Sequence, residues 1–243
     1  MNLAAISTLS GGSILASSLN TVFVLIQSEQ ILLLAWLVYF ALHSALASLS
    51  VKRWLAAWRP NLLPAYRIAF NLLASLGLAP ILWLLYGRPG PMLWAWTGAW
   101  ATLADGLALG ALGGFFYSLR DYDLSEFLGM RQWLNRTRSV QDQEHFHLSV
   151  LHRYVRHPWY FFSLVIIWTR DMNAAMLVSV LLMTAYFFIG SKLEERKLIV
   201  YHGERYRRYM QKVAGLVPLP WKTLSKTEAL ALVSDDPDSL LHC

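Results

Sequence analysis

The stretch that decides the fold is Leu151–Tyr160, LHRYVRHPWY, read with Lys192–Tyr209, KLEERKLIVYHGERYRRY. Between the two lies an apolar run, Pro158–Thr169 and Met172–Gly190, interrupted by Arg170, Asp171 and Asn173. A turn this short folds the run into a helical hairpin, so both charged stretches return to one face. Proline suits the first turn of a helix, while the residue before it is driven towards extended backbone. Arg156 and His157 therefore stand at a helix mouth, where free N–H groups and the helix dipole favour an anion. Glu194 and Glu195 at the far end of the hairpin suit hydroxyls or a cation. Neighbouring helical residues point about 100° apart, so at most one of these glutamates aims straight into a shared pocket.

Composition sets the solvent. Of 243 residues, 56% are hydrophobic and 15% charged, against about 25% charged in soluble chains. The chain is expected to be an all-α polytopic membrane protein. Its net charge of +6 is gathered at the ends of apolar runs, which the positive-inside rule explains without nucleic acid. The lone cysteine, Cys243, excludes an internal disulfide. It also lies too close to the end for a prenylation signal. The amino terminus lacks a basic start, so no cleaved signal is expected.

About five spans follow from hydropathy. Residues 1–25 are apolar but mixed with Ser, Gly and Asn, compatible with a span, a surface segment or a loose one. Ile31–Leu49 is long enough to cross a core about 30 Å thick. Lys52, Arg53 and Arg59 mark a cytoplasmic loop. Ala65–Tyr86 is a second span containing Asn71 and Pro80, and Met92–Tyr117 a third with Trp94, Trp96 and Trp100 as an interfacial belt. The expected division is 1–117 as amino-terminal spans, 118–157 as a polar cytoplasmic connector, 158–220 as the hairpin with its catalytic carboxyl-terminal helix, and 221–243 as a flexible tail with Asp235, Asp236 and Asp238. The first arm of the hairpin, about 16 residues, reaches only roughly 24 Å.

Single motifs read two ways. Arg156 and His157 are either a snorkelling anchor or an anion site. Glu194 and Glu195 are either an exposed face beside Lys192, Arg196 and Lys197 or part of that site. Tyr206 and Tyr209 share a helix face, and Asp105 and His43 lie inside spans, where ionisable groups mark a site or a helix-to-helix hydrogen bond. His145, His147, His152 and His157 do not have metal-site spacing, so no metal is expected. GALGG, Gly110–Gly114, sits inside an apolar span and reads as a close helix-packing patch, not a dinucleotide fingerprint.

In these residues the sequence resembles the isoprenylcysteine carboxyl methyltransferase-like superfamily of integral membrane methyltransferases. Tyr154, Arg156-His157-Pro158-x-Tyr160, Glu194-Glu195, Gly203, Tyr206, Tyr209 and Pro218 carry the resemblance, over roughly the last 90 residues. Asp123, Leu124, Phe127, Gly129, Arg131, Gln132, His43-Ser44 and Lys52 look like a bacterial branch that includes methanethiol methyltransferase and denitrification-associated membrane proteins. The resemblance implies S-adenosylmethionine at the cytoplasmic mouth, bound through Tyr154, Arg156, His157, Tyr160, Glu194, Glu195 and Tyr206. It implies Arg156 on the donor carboxylate; the catalytic candidates are Arg156 and Glu195, with Asp105 added for its place inside a span. The implied acceptor is a small or lipid-like thiol, carboxylate or amine in a bacterial inner membrane. Phe162 stands where relatives carry glycine after RHPxY, and Val150 and His152 where they carry glycine and tyrosine. The rival classes are a nicotinamide-dependent reductase of the sterol-reductase type and a non-catalytic protein on the same scaffold.

Overall fold

The computed structural model describes residues 29–121, 123–138, 146 and 148–234. Residues 1–28 and the acidic end from 235 onward, together with His145 and His147, lie outside the described residues, as do the expectations that fell on them.

Four helices are long and apolar enough to cross a membrane: α1 (Glu29–Ala47), α3 (Leu63–Gly87, with the 3-10 turn Pro60–Leu62 before it), α4 (Ala99–Ser118) and α8 (Ala174–Lys212). A shorter apolar helix, α7 (Pro158–Trp168), completes the five expected. At 11 residues it is roughly 16 Å long. Short helices α2 (Leu49–Trp58), α5 (Leu124–Leu128), α6 (Met130–Leu134) and α9 (Lys226–Ser234) decorate the face that carries Arg156. Leu34, Leu72, Leu76, Leu107, Leu109 and Leu181 are all more than half exposed. An apolar surface of this extent is stable only against lipid, so the chain is an integral membrane protein.

Two packings hold the helices. Leu32 and Trp36 of α1, Ile81, Leu84 and Leu85 of α3, and Ala175 of α8 form one buried cluster, with the Trp36 indole donating to Ser179 at 2.9 Å. The second joins α4 to α7. Gly114 leaves a notch that Phe162 fills, since a Cβ there would stand 2.5 Å from the Phe162 ring. Trp159 donates to Ser118 at 2.7 Å one turn further on. Of the glycine patch only Gly114 packs against a neighbouring helix; Gly110 and Gly113 face open space. Phe162 departs from the related pattern in order to fill the Gly114 notch.

The third span starts later than its hydropathy suggested. Met92–Trp94 forms strand β1, which pairs antiparallel with β2 (Met172–Asn173) across the far face, and α4 begins only at Ala99. Positive φ values at Gly90 (69°) and Gly98 (55°) make the reversal that a continuous helix would forbid. Trp94, Trp96 and Trp100 remain exposed at that rim, as interfacial aromatics do.

The tail also differs from expectation. Residues 226–234 fold as α9, introduced by a capping box in which the Ser225 N–H donates to Glu228 at 2.9 Å and the Glu228 N–H to Ser225 at 3.2 Å. Ala229 and Leu232 bury against Tyr206, Tyr209 and Val213, and Lys212 pairs with Glu228 at 2.5 Å. The signal was the S-x-x-E spacing before an apolar run.

Gly114→Ala is expected to lower stability by about 1–3 kcal/mol, because Phe162 must leave its notch. Melting in detergent should show most of that loss recovered by a second substitution, Phe162→Ala. Simple additivity of the two would remove the packing account.

Candidate active site

Helix α7 starts at Pro158, with His157 as its cap residue. Just upstream the backbone is extended, and Val155 pairs in parallel with Ala214. The Arg156 N–H donates to Ala214 at 2.8 Å and the His157 N–H to Gly215 at 3.1 Å. The chain after α8 thus returns as an extended strip beside the RHP segment. Gly215 gives close room there, since a Cβ would stand 3.2 Å from Nη2 of Arg156. Tyr209 donates to the His152 carbonyl at 2.7 Å, and Arg153 to the Leu224 carbonyl at 3.0 Å, which fixes both ends of the strip.

Helix α8 is regular over residues 174–202, about 43 Å at 1.5 Å per residue, which still outreaches a hydrocarbon core about 30 Å thick. Its break at Gly203, φ 53° and ψ −132°, redirects the last turns back over the site. Glu195 lies on this helix with its side chain 3% exposed, facing Arg156 at 7%. Arg156 donates from Nη2 to Glu195 at 2.5 Å and from Nε to the same oxygen at 3.0 Å. Its Nη1 donates to the carbonyls of Met210 (3.1 Å) and Val213. With these four bonds the guanidinium ties α7, α8 and the return strip together, and it does not present a free fork to a ligand carboxylate.

His157 lies between the two glutamates, with Nε2 3.3 Å from Glu195 and Nδ1 3.4 Å from Glu194. Burial by itself would lower the histidine pKa. Hydrogen bonds to Glu194 and Glu195 outweigh it, and the net shift is upward from 6.5. Its ring stacks on Tyr160 at 5.4 Å, and Tyr160 stacks on Phe187 at 5.0 Å. The Tyr160 hydroxyl donates to Glu194 at 3.3 Å. Lys192 donates to the second oxygen of Glu195 at 3.1 Å. Glu194 (46%) and Lys192 (49%) are half exposed, whereas Arg156, His157 and Glu195 are sealed. Glu194 and Lys192 are thus half-exposed charged groups at this mouth, and the flat face of an aromatic stack lies next to Glu194.

The structure therefore gathers Arg156, His157, Tyr160, Glu194 and Glu195, with buried Tyr206 packed among the carboxyl-terminal residues. Tyr154 is not gathered in: it is 44% exposed, with the Arg153 guanidinium over its ring. Asp105 lies at the opposite face, where it pairs with Arg170 at 3.2 Å. Its distance from the cluster follows from the late start of α4, which puts Asp105 near that rim and not at mid-span. Asp105 and His43 are not partners; His43 meets Tyr186 at 2.9 Å. Lys192 was legible only as a neighbour of the glutamates. Gly215 gave no signal.

The chain is 33% identical over 187 residues to methanethiol S-methyltransferase of Pseudomonas sp. (strain GM41(2012)), covering 74% of this chain and 70% of that one. It is 34% identical over 179 residues to methanethiol S-methyltransferase 2 of Bradyrhizobium diazoefficiens, with 72% and 68% covered. A third relative is methanethiol S-methyltransferase of Pseudomonas deceptionensis, at 32% identity with 72% and 67% covered. No family model matches the chain. No solved structure matches it.

Arg156→Ala leaves Glu195 buried without its main partner, and is expected to cost about 3–5 kcal/mol of stability. A melting temperature unchanged in detergent would show that the pair holds nothing. For His157 the folded pKa lies above its unfolded value of 6.5. Its stabilising contribution is thus complete below that pH and is lost as pH rises through the folded pKa. Nuclear magnetic resonance titration should place the His157 midpoint above 6.5, and Glu194→Gln should move it down.

Proposed function

The chain belongs to the isoprenylcysteine carboxyl methyltransferase-like membrane family and is a membrane methyltransferase, and we propose that it moves a methyl group from S-adenosylmethionine to a small thiol. The observation that carries this reading is the match to methanethiol S-methyltransferases across about three quarters of the chain, 74% for the first of them. Convergence of the RHP segment with Glu194 and Glu195 at one face supplies the place.

The residues present fit such a donor in part by roles other than those the resemblance implied. Glu194, half exposed beyond its bonds to His157 and Tyr160, can meet the donor's ammonium or ribose hydroxyls, and the half-exposed Lys192 its carboxylate. Arg156 acts behind them: its bonds to Glu195 and to the return strip hold the floor on which Lys192 and His157 are set. His157, set between two carboxylates, orients Glu194 from below. The donor brings a methyl on a cationic sulfonium, so transfer is a displacement whose chief demand is alignment of the reacting atoms.

The same face carries Lys52, Arg53, Arg59, Arg131 and Arg153, whereas the far-face turns carry Arg88 and Arg170. This asymmetry supports a cytoplasmic site, and the bacterial relatives support an inner-membrane location.

Calorimetric titration of the purified protein with S-adenosylmethionine and with NADPH, followed by headspace chromatography of the methylated thiol, tests the reading. Heat with S-adenosylmethionine alone, and a volatile thioether, are expected. Heat with NADPH alone would favour a reductase, and heat with neither a non-catalytic scaffold. Glu194→Gln should weaken donor binding by about 1.5–3 kcal/mol, the worth of a hydrogen bond to a charged group.

A further inference from the structure

A second polar cluster lies deeper in the bilayer-spanning part. Nδ1 of His43 is 2.9 Å from the Tyr186 hydroxyl, and the Ser44 hydroxyl is 3.0 Å from the same oxygen. Aromatic rings wall it. Phe40 stacks on Tyr186 at 4.1 Å, Phe70 of α3 stands 5.1 Å from His43, and Tyr39 stands 5.8 Å from it. The groups facing His43 are thus Tyr39 on its own helix, Tyr186 on α8 and the untitratable Phe70. Tyr160 of α7 in turn faces Tyr186. Ser44 is exposed on the lipid side and His43 is half-buried.

Packing alone does not account for this arrangement. A hydrogen bond between α1 and α8 needs only Ser44 and Tyr186. His43 adds a second ring nitrogen, Nε2, which has no hydrogen-bond partner among the described residues and is not sealed from its surroundings. An open ionisable nitrogen at membrane depth is costly unless something uses it.

Its place on α8 connects it to the ion cluster. Tyr186, Gly190 and Glu194 are spaced by four, so they lie one above another, with Tyr186 roughly 12 Å along the axis from Glu194. Gly190 stands between them without a side chain, and the Tyr160 hydroxyl that donates to Glu194 lies 3.8 Å from where its Cβ would be. Polar groups therefore run from the lipid-exposed Ser44, through Tyr186 and past Gly190, to Glu194 and His157.

We propose that His43, Ser44 and Tyr186 form the acceptor site, which takes a small apolar thiol directly from the bilayer, with His43 as the base that removes its proton. The proposal rests on the thiol-methylating reading above. The thiol S–H bond breaks, its proton passes to Nε2 of His43, and the electron pair stays on sulfur. That sulfur bonds to the methyl carbon while the donor's S–CH3 bond breaks, and the released pair neutralises the sulfonium. The imidazolium donates from Nδ1 to the Tyr186 oxygen, whose hydroxyl donates to Ser44. The proton then leaves to water at the mouth.

The test uses the full chain in lipid nanodiscs, with an alkanethiol and with an arenethiol that is already largely ionised at neutral pH. His43→Gln is expected to lower kcat/KM for the alkanethiol by about a hundredfold or more, to leave the arenethiol nearly unchanged, and to recover alkanethiol activity as pH rises. Donor affinity by calorimetry should hold. Tyr186→Phe keeps the ring stack on Phe40 and should show the same split between thiols, which covers the case in which His43→Gln fails to fold. Equal losses on both thiols, no loss on either, or lost donor binding would overturn the assignment. Wild-type protein that binds the donor yet methylates neither thiol would overturn the thiol reading itself, before any variant is compared.

Discussion

The buried contact between Arg156 and Glu195 is the constraint on which the rest of the site depends. Two charges removed from water are tolerated only when their remaining donors and lone pairs are satisfied. Here the requirement is met by main-chain carbonyls of Met210 and Val213, by His157 and by Lys192. Those partners are spread over the start of α7, both parts of α8 and the strip that follows it. Satisfying one ion pair therefore fixes the start of α7, the middle of α8 and the return strip, and the site's outer residues inherit their positions. The pair is better understood as a clamp that sets Glu194 and Lys192 at the surface than as a hand that grips the donor.

Much of the fold was legible because a bilayer makes a severe demand on sequence. Every span must satisfy its own backbone, so apolar runs of sufficient length read as helices, and α1 and α3 match theirs within two residues at each end. The same logic misplaced the start of α4. Met92–Trp94 is as apolar as a helix, and only the partner strand Met172–Asn173, 80 residues away, makes it extended. Hydropathy measures affinity for lipid and carries no record of which distant backbone will supply a hydrogen bond.

The candidate site shows the same division. The hairpin argument brought the RHP segment to Glu194 and Glu195, since both lie at the ends of one apolar U-turn. It could not show that the guanidinium would be consumed by carbonyls of the return strip. Nothing local marks Val213–Gly215 as an extended partner of Val155–His157; the order appears only once Tyr209 meets the His152 carbonyl and Gly203 bends the helix back. Phe162 stood out in the sequence only as a departure from the related pattern; its neighbour across the helix pair, Gly114, gives its ring the space it occupies.

On the proposed reading a charged donor meets an apolar thiol, two reactants that favour different solvents, and α8 reaches towards both. Its lower part offers Tyr186 beside His43 among aromatic rings, and its upper part carries the half-exposed Glu194 and Lys192. Neither environment suits the other's ligand: an ammonium and carboxylate are costly in hydrocarbon, and a small alkanethiol gains by staying there. A single rigid helix holding both sets of groups solves the problem geometrically, since the two reactants then approach along one axis from opposite solvents. On this view the turns from Tyr186 to Glu194 join the reaction's two phases, and Gly190, without a side chain, leaves the space between them.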